Sequence, residues 1–114
     1  MLAHCRQSVH RILPVWSHMG NENWCMIGYH SVSVVGDALD KGIDVDTKPA
    51  LEAMLGSANC DYYDGTGVYK KLGYVPYDVK STGSSMTLEY AYDDWVIYRT
   101  ARRMGLSEVA ETYR

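Results

Sequence analysis

Phenylalanine is absent from this sequence, and its aromatic content rests on ten tyrosines and three tryptophans. Charge is scarce too: Asp, Glu, Lys and Arg make up 22% of the 114 residues, below the usual quarter, while 46% are hydrophobic. With a net charge of −3 and a pI near 5.7, the chain has no basic field. Nucleic acid and anionic lipid are therefore not partners of this surface, and acidic substrates are not favoured. Cysteine is limited to Cys5, Cys25 and Cys60, widely spaced and odd in number. That pattern is neither a disulfide framework nor a CxxC zinc motif, and all three are expected to be small buried hydrophobes. The first residues lack a basic segment leading into an apolar run, since His4, Cys5, Arg6 and Gln7 interrupt it. His4, His10, His18 and His30 lack HExxH spacing, and Asp93-Asp94 lacks further acids at ligand spacing, so neither a zinc hydrolase nor a metal-dependent lyase is favoured.

What the chain does have is helical periodicity. Leu2, Cys5, Val9, Ile12 and Leu13 recur at helical spacing up to Pro14, which predicts a first helix over 2–13. An irregular connector follows to Gly20, and Asn21 or Asn23 is placed to cap the next helix. From Asn23 to Gly36 no side chain is formally charged, and Trp24, Ile27, Ser31, Val34 and Ala38 keep the helical interval. The run is too short to span a bilayer and reads as a buried helix, closed by Lys41-Gly42, with Trp24 and Tyr29 in the core. Gly28, Ser31 and Gly36 are small enough for a neighbouring helix to approach. Asp46 or Thr47 caps a third helix with Pro49 in its first turn and Leu51, Met54, Leu55 and Ala58 facing inward. A short helical turn closed by Gly73 comes next, and a last helix starts at Ser107 and runs on to Arg114. Nothing alternates as a strand does for long, so the fold class is all-α.

The densest stretch lies between these. Thr87 to Trp95 compresses three carboxylates and three aromatic rings into nine residues. Ser84 and Ser85 supply N-cap oxygens, and Leu88, Ala91, Trp95 and Tyr98 form the expected inward face. Glu89 stands about 100° round from Leu88, with Asp93 one turn further along. Two carboxylates on one flank repel unless something cationic, polar or sugar-like lies between them. A carboxyl held against aromatic walls is partly desolvated, which suits a general acid. An acid in an early helical turn is also favoured by the helix dipole alone, so residue types leave both readings open.

Two blocks then read together: His18-Met19-Gly20-Asn21-Glu22-Asn23-Trp24-Cys25-Met26-Ile27-Gly28-Tyr29-His30, and Gly73-Tyr74-Val75-Pro76 with Thr87-Leu88-Glu89-Tyr90-Ala91-Tyr92-Asp93-Asp94-Trp95. Both resemble glycoside hydrolase family 92, and the resemblance covers essentially the whole chain. It implies an internal fragment of an (α/α)6-barrel catalytic domain. It also implies an exo-acting α-mannosidase that removes mannose from N-glycans and mannans, inverting the anomeric centre with help from a bound calcium ion. Glu89 falls at the family's general acid. Glu22, Asn23 and Asp93 are candidate substrate-binding residues.

The family's general base and calcium ligands belong to later blocks that this sequence does not contain, and no metal ligand is expected here. The partners implied are mannose-containing glycans and the remainder of the parent enzyme, including an upstream sandwich domain. The resemblance suggests a periplasmic or secreted location. The rival reading is a noncatalytic helical interaction module that presents Tyr and Trp to a protein partner.

Overall fold

Six α-helices and one 3-10 turn make up the regular structure of the computed structural model, which describes residues 1–114. They are α1 (Leu2–Gln7), α2 (Ser31–Asp40), α3 (Thr47–Ala58), α4 (Thr66–Leu72), α5 (Gly83–Arg103) and α6 (Ser107–Thr112), with the 3-10 turn at His18–Gly20. There is no strand, and no helix is long and apolar enough to cross a membrane. α5 is the spine: α2, α3 and α6 pack on it, and α1 packs on α3.

α3 forms where the spacing places it. Asp46 is its N-cap, Pro49 lies in its first turn, and Leu51, Met54 and Ala58 are buried. α4 ends as expected at Gly73, whose φ of 77° supplies the left-handed C-cap that a side chain resists. α2 ends on Lys41 and Gly42, and Lys41 pairs with Asp37 across one turn at 2.7 Å. α6 starts at Ser107 but stops at Thr112, with Tyr113 as its C-cap.

Two expected helices are shorter than their periodicity. α1 stops at Gln7, where Ser8 turns extended and donates its hydroxyl to the Cys5 carbonyl at 3.0 Å. Such local bonding competes with helix continuation. Arg11 then adopts a φ of 56°, its carbonyl accepts the Cys5 thiol at 3.0 Å, and the chain doubles back. Ile12 and Leu13 reach the core through this turn, whereas Val9, read as inward, is 86% exposed.

The expected helix from Asn23 begins only at Ser31, with His30 as its N-cap rather than Asn21 or Asn23. Glu22 holds 23–30 out of helix. Its buried carboxylate accepts the backbone N–H groups of Val15, Trp16 and Trp24, which ties two passes of loop together. Trp24 is consequently held at a φ of 52° and lies partly exposed, not in the core. Tyr29 is buried as expected. Cys5 and Cys60 are buried and free, but Cys25 is exposed on this loop.

α5 also turns a different face inward. Met86, Tyr90, Asp93, Ile97 and Ala101 are buried, while Leu88 and Trp95 are exposed. The helix starts at Gly83 with Thr82 as N-cap, ahead of Ser84 and Ser85. Both stripes have helical spacing; the one with Tyr90 is buried, and its ring is covered with its hydroxyl satisfied by the Asp64 carbonyl. Gly36 lets α2 approach α5, since a Cβ there would lie 2.6 Å from Val96 Cγ1. Gly83 is tighter still, because a Cβ would run into the Val75 carbonyl oxygen. Val75 is locked in place by its N–H bond to Thr87 Oγ1 at 2.9 Å, and Thr87 in turn donates to the Gly83 carbonyl at 2.7 Å. Gly83→Ala is therefore expected to destabilise the chain by about 1–3 kcal/mol through overpacking against backbone. Alanine's helix propensity offsets only about 1 kcal/mol of that. Urea titration checks this, and a variant as stable as the parent would refute the close packing.

Candidate active site

The site forms where the loop before α2 crosses the middle of α5. Tyr29 and Tyr90 stack there with ring centroids 5.2 Å apart, and Tyr63 meets both rings edge-on. Tyr69 packs edge-on to Tyr90 at 5.3 Å. Each hydroxyl is used: Tyr63 donates to the Gly28 carbonyl at 2.9 Å, Tyr90 to the Asp64 carbonyl, and Tyr29 and Tyr69 to the Asp94 carboxylate at 2.5 and 3.2 Å. Burial pushes the Asp94 carboxyl up, opposed by those two phenol bonds. Burial likewise raises all four tyrosines, so they stay neutral donors.

One residue before Asp94 lies a carboxyl in a different situation. Asp93 has no exposed surface, and neither of its side-chain oxygens has a hydrogen-bond partner. Burial, then the nearby Glu89 and Asp94 charges, push it up to about 8; the Tyr29 backbone amide works in the other direction without reaching hydrogen-bond geometry. Asp93 thus keeps its proton at neutral pH. The desolvation that the sequence reading assigned to Glu89 falls on Asp93 instead, since the Glu89 side chain is 40% exposed. His30 joins the two: its Nδ1 is 3.7 Å from Glu89 Oε2 and 3.7 Å from Asp93 Oδ2. The isolated histidine of the sequence is therefore part of the constellation. Its place at the end of the loop block was the only signal for it.

The other candidates lie elsewhere. Glu22 is used in tying its loop, although Tyr63 has both Glu22 and Asp93 within electrostatic reach. Asn23 is exposed, and its side-chain oxygen accepts the Cys25 amide at 3.3 Å, a local turn. Asp93 faces His30 and the protein interior and offers a ligand no surface. Tyr92 and Trp95 are half exposed on the adjoining flank of α5, ring centroids 5.9 Å apart, with the Arg99 guanidinium over Trp95.

Calcium, which the resemblance implies, finds no ligand set here. No three His, Cys, Asp or Glu side chains are arranged to hold a metal ion, and the orphaned Asp93 oxygens face an imidazole, not the oxygens a hard cation requires. The Glu89 side chain is open to solvent on one side and has the His30 imidazole behind it.

The model of the glycosyl hydrolase family 92 catalytic domain matches residues 1–114. This chain belongs to family 92. An α-mannosidase of family 92 from Bacteroides thetaiotaomicron, solved in complex with mannoimidazole, is 45% identical, with a TM-score of 0.93 over 99% of this chain and 15% of its own. An inverting family 92 mannosidase from B. thetaiotaomicron VPI-5482 is 38% identical, with a TM-score of 0.81 over 98% of this chain and 16% of its own. No curated protein sequence matches. The family 92 chain described here thus spans 15–16% of the length of these solved relatives. Its helices are a segment of the (α/α)6 barrel expected from the sequence.

The buried carboxyl makes stability depend on pH in the unusual direction. The folded chain holds the Asp93 proton up to about pH 8, while the unfolded chain loses it near the ordinary carboxyl pKa of about 4. The Asp93 contribution is therefore complete below about pH 4, and falls by up to about 1.4 kcal/mol per pH unit as pH rises towards the folded value. Urea midpoints should be lower at pH 8 than at pH 5, and Asp93→Asn should remove most of that difference. Parallel pH slopes in parent and variant would refute the assignment.

Proposed function

We propose that this chain carries the general-acid part of an exo-acting, inverting α-mannosidase that removes mannose from mannose-containing glycans such as those of glycoproteins and mannans. The observation that carries the reading is the family 92 match over all 114 residues, with Glu89 displayed beside His30 on the open flank of α5. In an inverting hydrolysis, one carboxylic acid protonates the leaving glycosidic oxygen while a carboxylate on the opposite face of the sugar activates water. Glu89 is the acid. The second carboxylate must stand about 6.5–9.5 Å away with a water between the two. Asp93 does not meet that requirement, because it is one turn away on the same helix and fully buried. The base is accordingly supplied from another part of the catalytic domain, and so is the calcium site. Glu22 shapes the loop that leads to His30 by accepting the Val15, Trp16 and Trp24 backbone amides. We place the parent protein in the periplasm or outside the cell, in keeping with the family resemblance.

The rival reading, a helical interaction module, draws on the exposed Leu88, Tyr92 and Trp95 of α5. It has no need of an acid at position 89 and tolerates glutamine there. The two readings separate when the chain is carried within a complete family 92 catalytic domain. Glu89→Gln should lower kcat/KM for an α-mannobiose by about 10²–10⁴-fold, the usual range for lost general-acid help. It should lower the rate far less for an aryl mannoside whose leaving group needs no proton. A folded Glu89→Gln protein that releases mannose at the parent rate would refute the assignment.

A further inference from the structure

Trp24 combines two features that packing alone does not explain. Its ring stands 37% exposed, and its backbone holds a φ of 52°, which a bulky side chain resists. Glu22 imposes that backbone: one oxygen of its buried carboxylate accepts the Trp24 amide at 2.8 Å, while the other accepts the Val15 and Trp16 amides. Arg11, on the neighbouring turn, has a φ of 56°. Two of the three non-glycine residues with positive φ therefore flank one place, and held strain of this kind gathers at binding and active sites.

A cavity of about 290 Å³ lies between the two turns, and its lining includes the apolar Val9, Ile12 and Trp24 and the polar His10, Asn21 and Glu22. Aromatic rings continue outward from it. The His10 ring centroid is 6.0 Å from that of Trp24 and 5.5 Å from that of Tyr62, and Tyr62 is 80% exposed. Three rings from three separate stretches of chain thus make one open surface beside a cavity. Glu22 is already engaged by three backbone N–H groups, and apart from His10 the lining has no other ionisable side chain. Such a place selects a neutral ligand with an apolar face and a polar edge. A pyranose has this character: its C–H face lies against an aromatic ring while its hydroxyls reach an amide and an imidazole.

We propose that Trp24, His10 and Tyr62 form a platform that binds a neutral sugar unit of the glycan beyond the two that flank the cleaved bond, with Asn21 at the cavity edge taking its hydroxyls. Glu22 fixes the platform in advance, so that binding does not have to order the loop. The inference rests on the parent enzyme acting on mannose-containing glycans, and is independent of which residue protonates the leaving oxygen.

The test uses a complete family 92 catalytic domain containing this chain. Trp24→Asn removes the ring and keeps a residue that tolerates the left-handed backbone. It should raise KM for an α-linked mannotetraose by about 3–10-fold, the scale of one lost aromatic contact. Its kcat, and its KM for α-mannobiose, should stay within about twofold of the parent's. Its urea midpoint should be at or above the parent's, because the strain is relieved. His10→Ala and Tyr62→Ala alter exposed side chains, should raise the same KM, and serve where Trp24→Asn does not fold. An unchanged mannotetraose KM in the folded variants would overturn the platform and leave the mannosidase reading standing. So would a lowered urea midpoint with unchanged KM, which marks Trp24 as packing, and so would an equal rise for mannobiose, which puts the rings at the cleaved bond. A folded domain that releases no mannose would overturn the mannosidase reading instead. Calorimetric titration with mannotetraose then decides the platform: weaker binding in Trp24→Asn supports it, and equal binding overturns it.

Discussion

The stack of Tyr29 on Tyr90, closed by Tyr63 and Tyr69, is the contact on which the rest of the structure depends. It joins three segments: the loop before α2, the connection through α4, and the middle of α5. Aromatic pairs of this geometry contribute about 0.5–1.5 kcal/mol each beyond the area they bury. Their hydroxyls make the arrangement specific. Each reaches a particular carbonyl or carboxylate, so a shift of α5 by one residue would leave buried phenols without partners, at about 1–3 kcal/mol apiece. A core built from phenylalanine would bury similar area without that registration.

The registration has a local cost. Placing Tyr90 inward also turns Asp93 inward, three residues on, where it has neither exposure to solvent nor a hydrogen bond from the protein. The protein meets this by leaving the carboxyl protonated near neutral pH. Glu89, one turn earlier, escapes to the surface. Two acids on one flank therefore end in opposite environments, and an imidazole stands between them. Environments that separate two neighbouring carboxyls in this way are the ordinary means by which proteins assign them different work. The least comfortable part of the fold is thus the place where the two carboxyls and the imidazole come together.

Much of the frame was legible in the residues. α3 could be read from Asp46, Pro49 and its apolar spacing, and α4 from Gly73, because capping and glycine conformations are local. The all-helical class followed from periodicity, and the family from the two motif blocks. The errors share a physical cause. The expected helices over 2–13 and from Asn23 were interrupted by Ser8 and Glu22, polar side chains that bond to backbone and so offer it an alternative to the helical ladder. The inward face of α5 was misjudged because Leu88, Ala91, Trp95 and Tyr98 keep the same interval as Met86, Tyr90, Asp93 and Ile97. A stripe containing an aspartate does not read as core.

By itself the sequence determined the helical class, the caps and stops of α3 and α4, and the chain's family. Each of these is encoded in spacing or in contiguous motif, and survives without knowledge of neighbours. Only the tertiary structure decided which stripe of α5 is buried, that Glu22 ties a loop, and that His30 meets Glu89 and Asp93. The buried stripe and the meeting at His30 depend on partners tens of residues apart in the chain, and the Glu22 tie depends on how its own loop folds back. Burial and hydrogen-bond satisfaction are properties of the assembled neighbourhood, and helical periodicity carries no information about which neighbour will come.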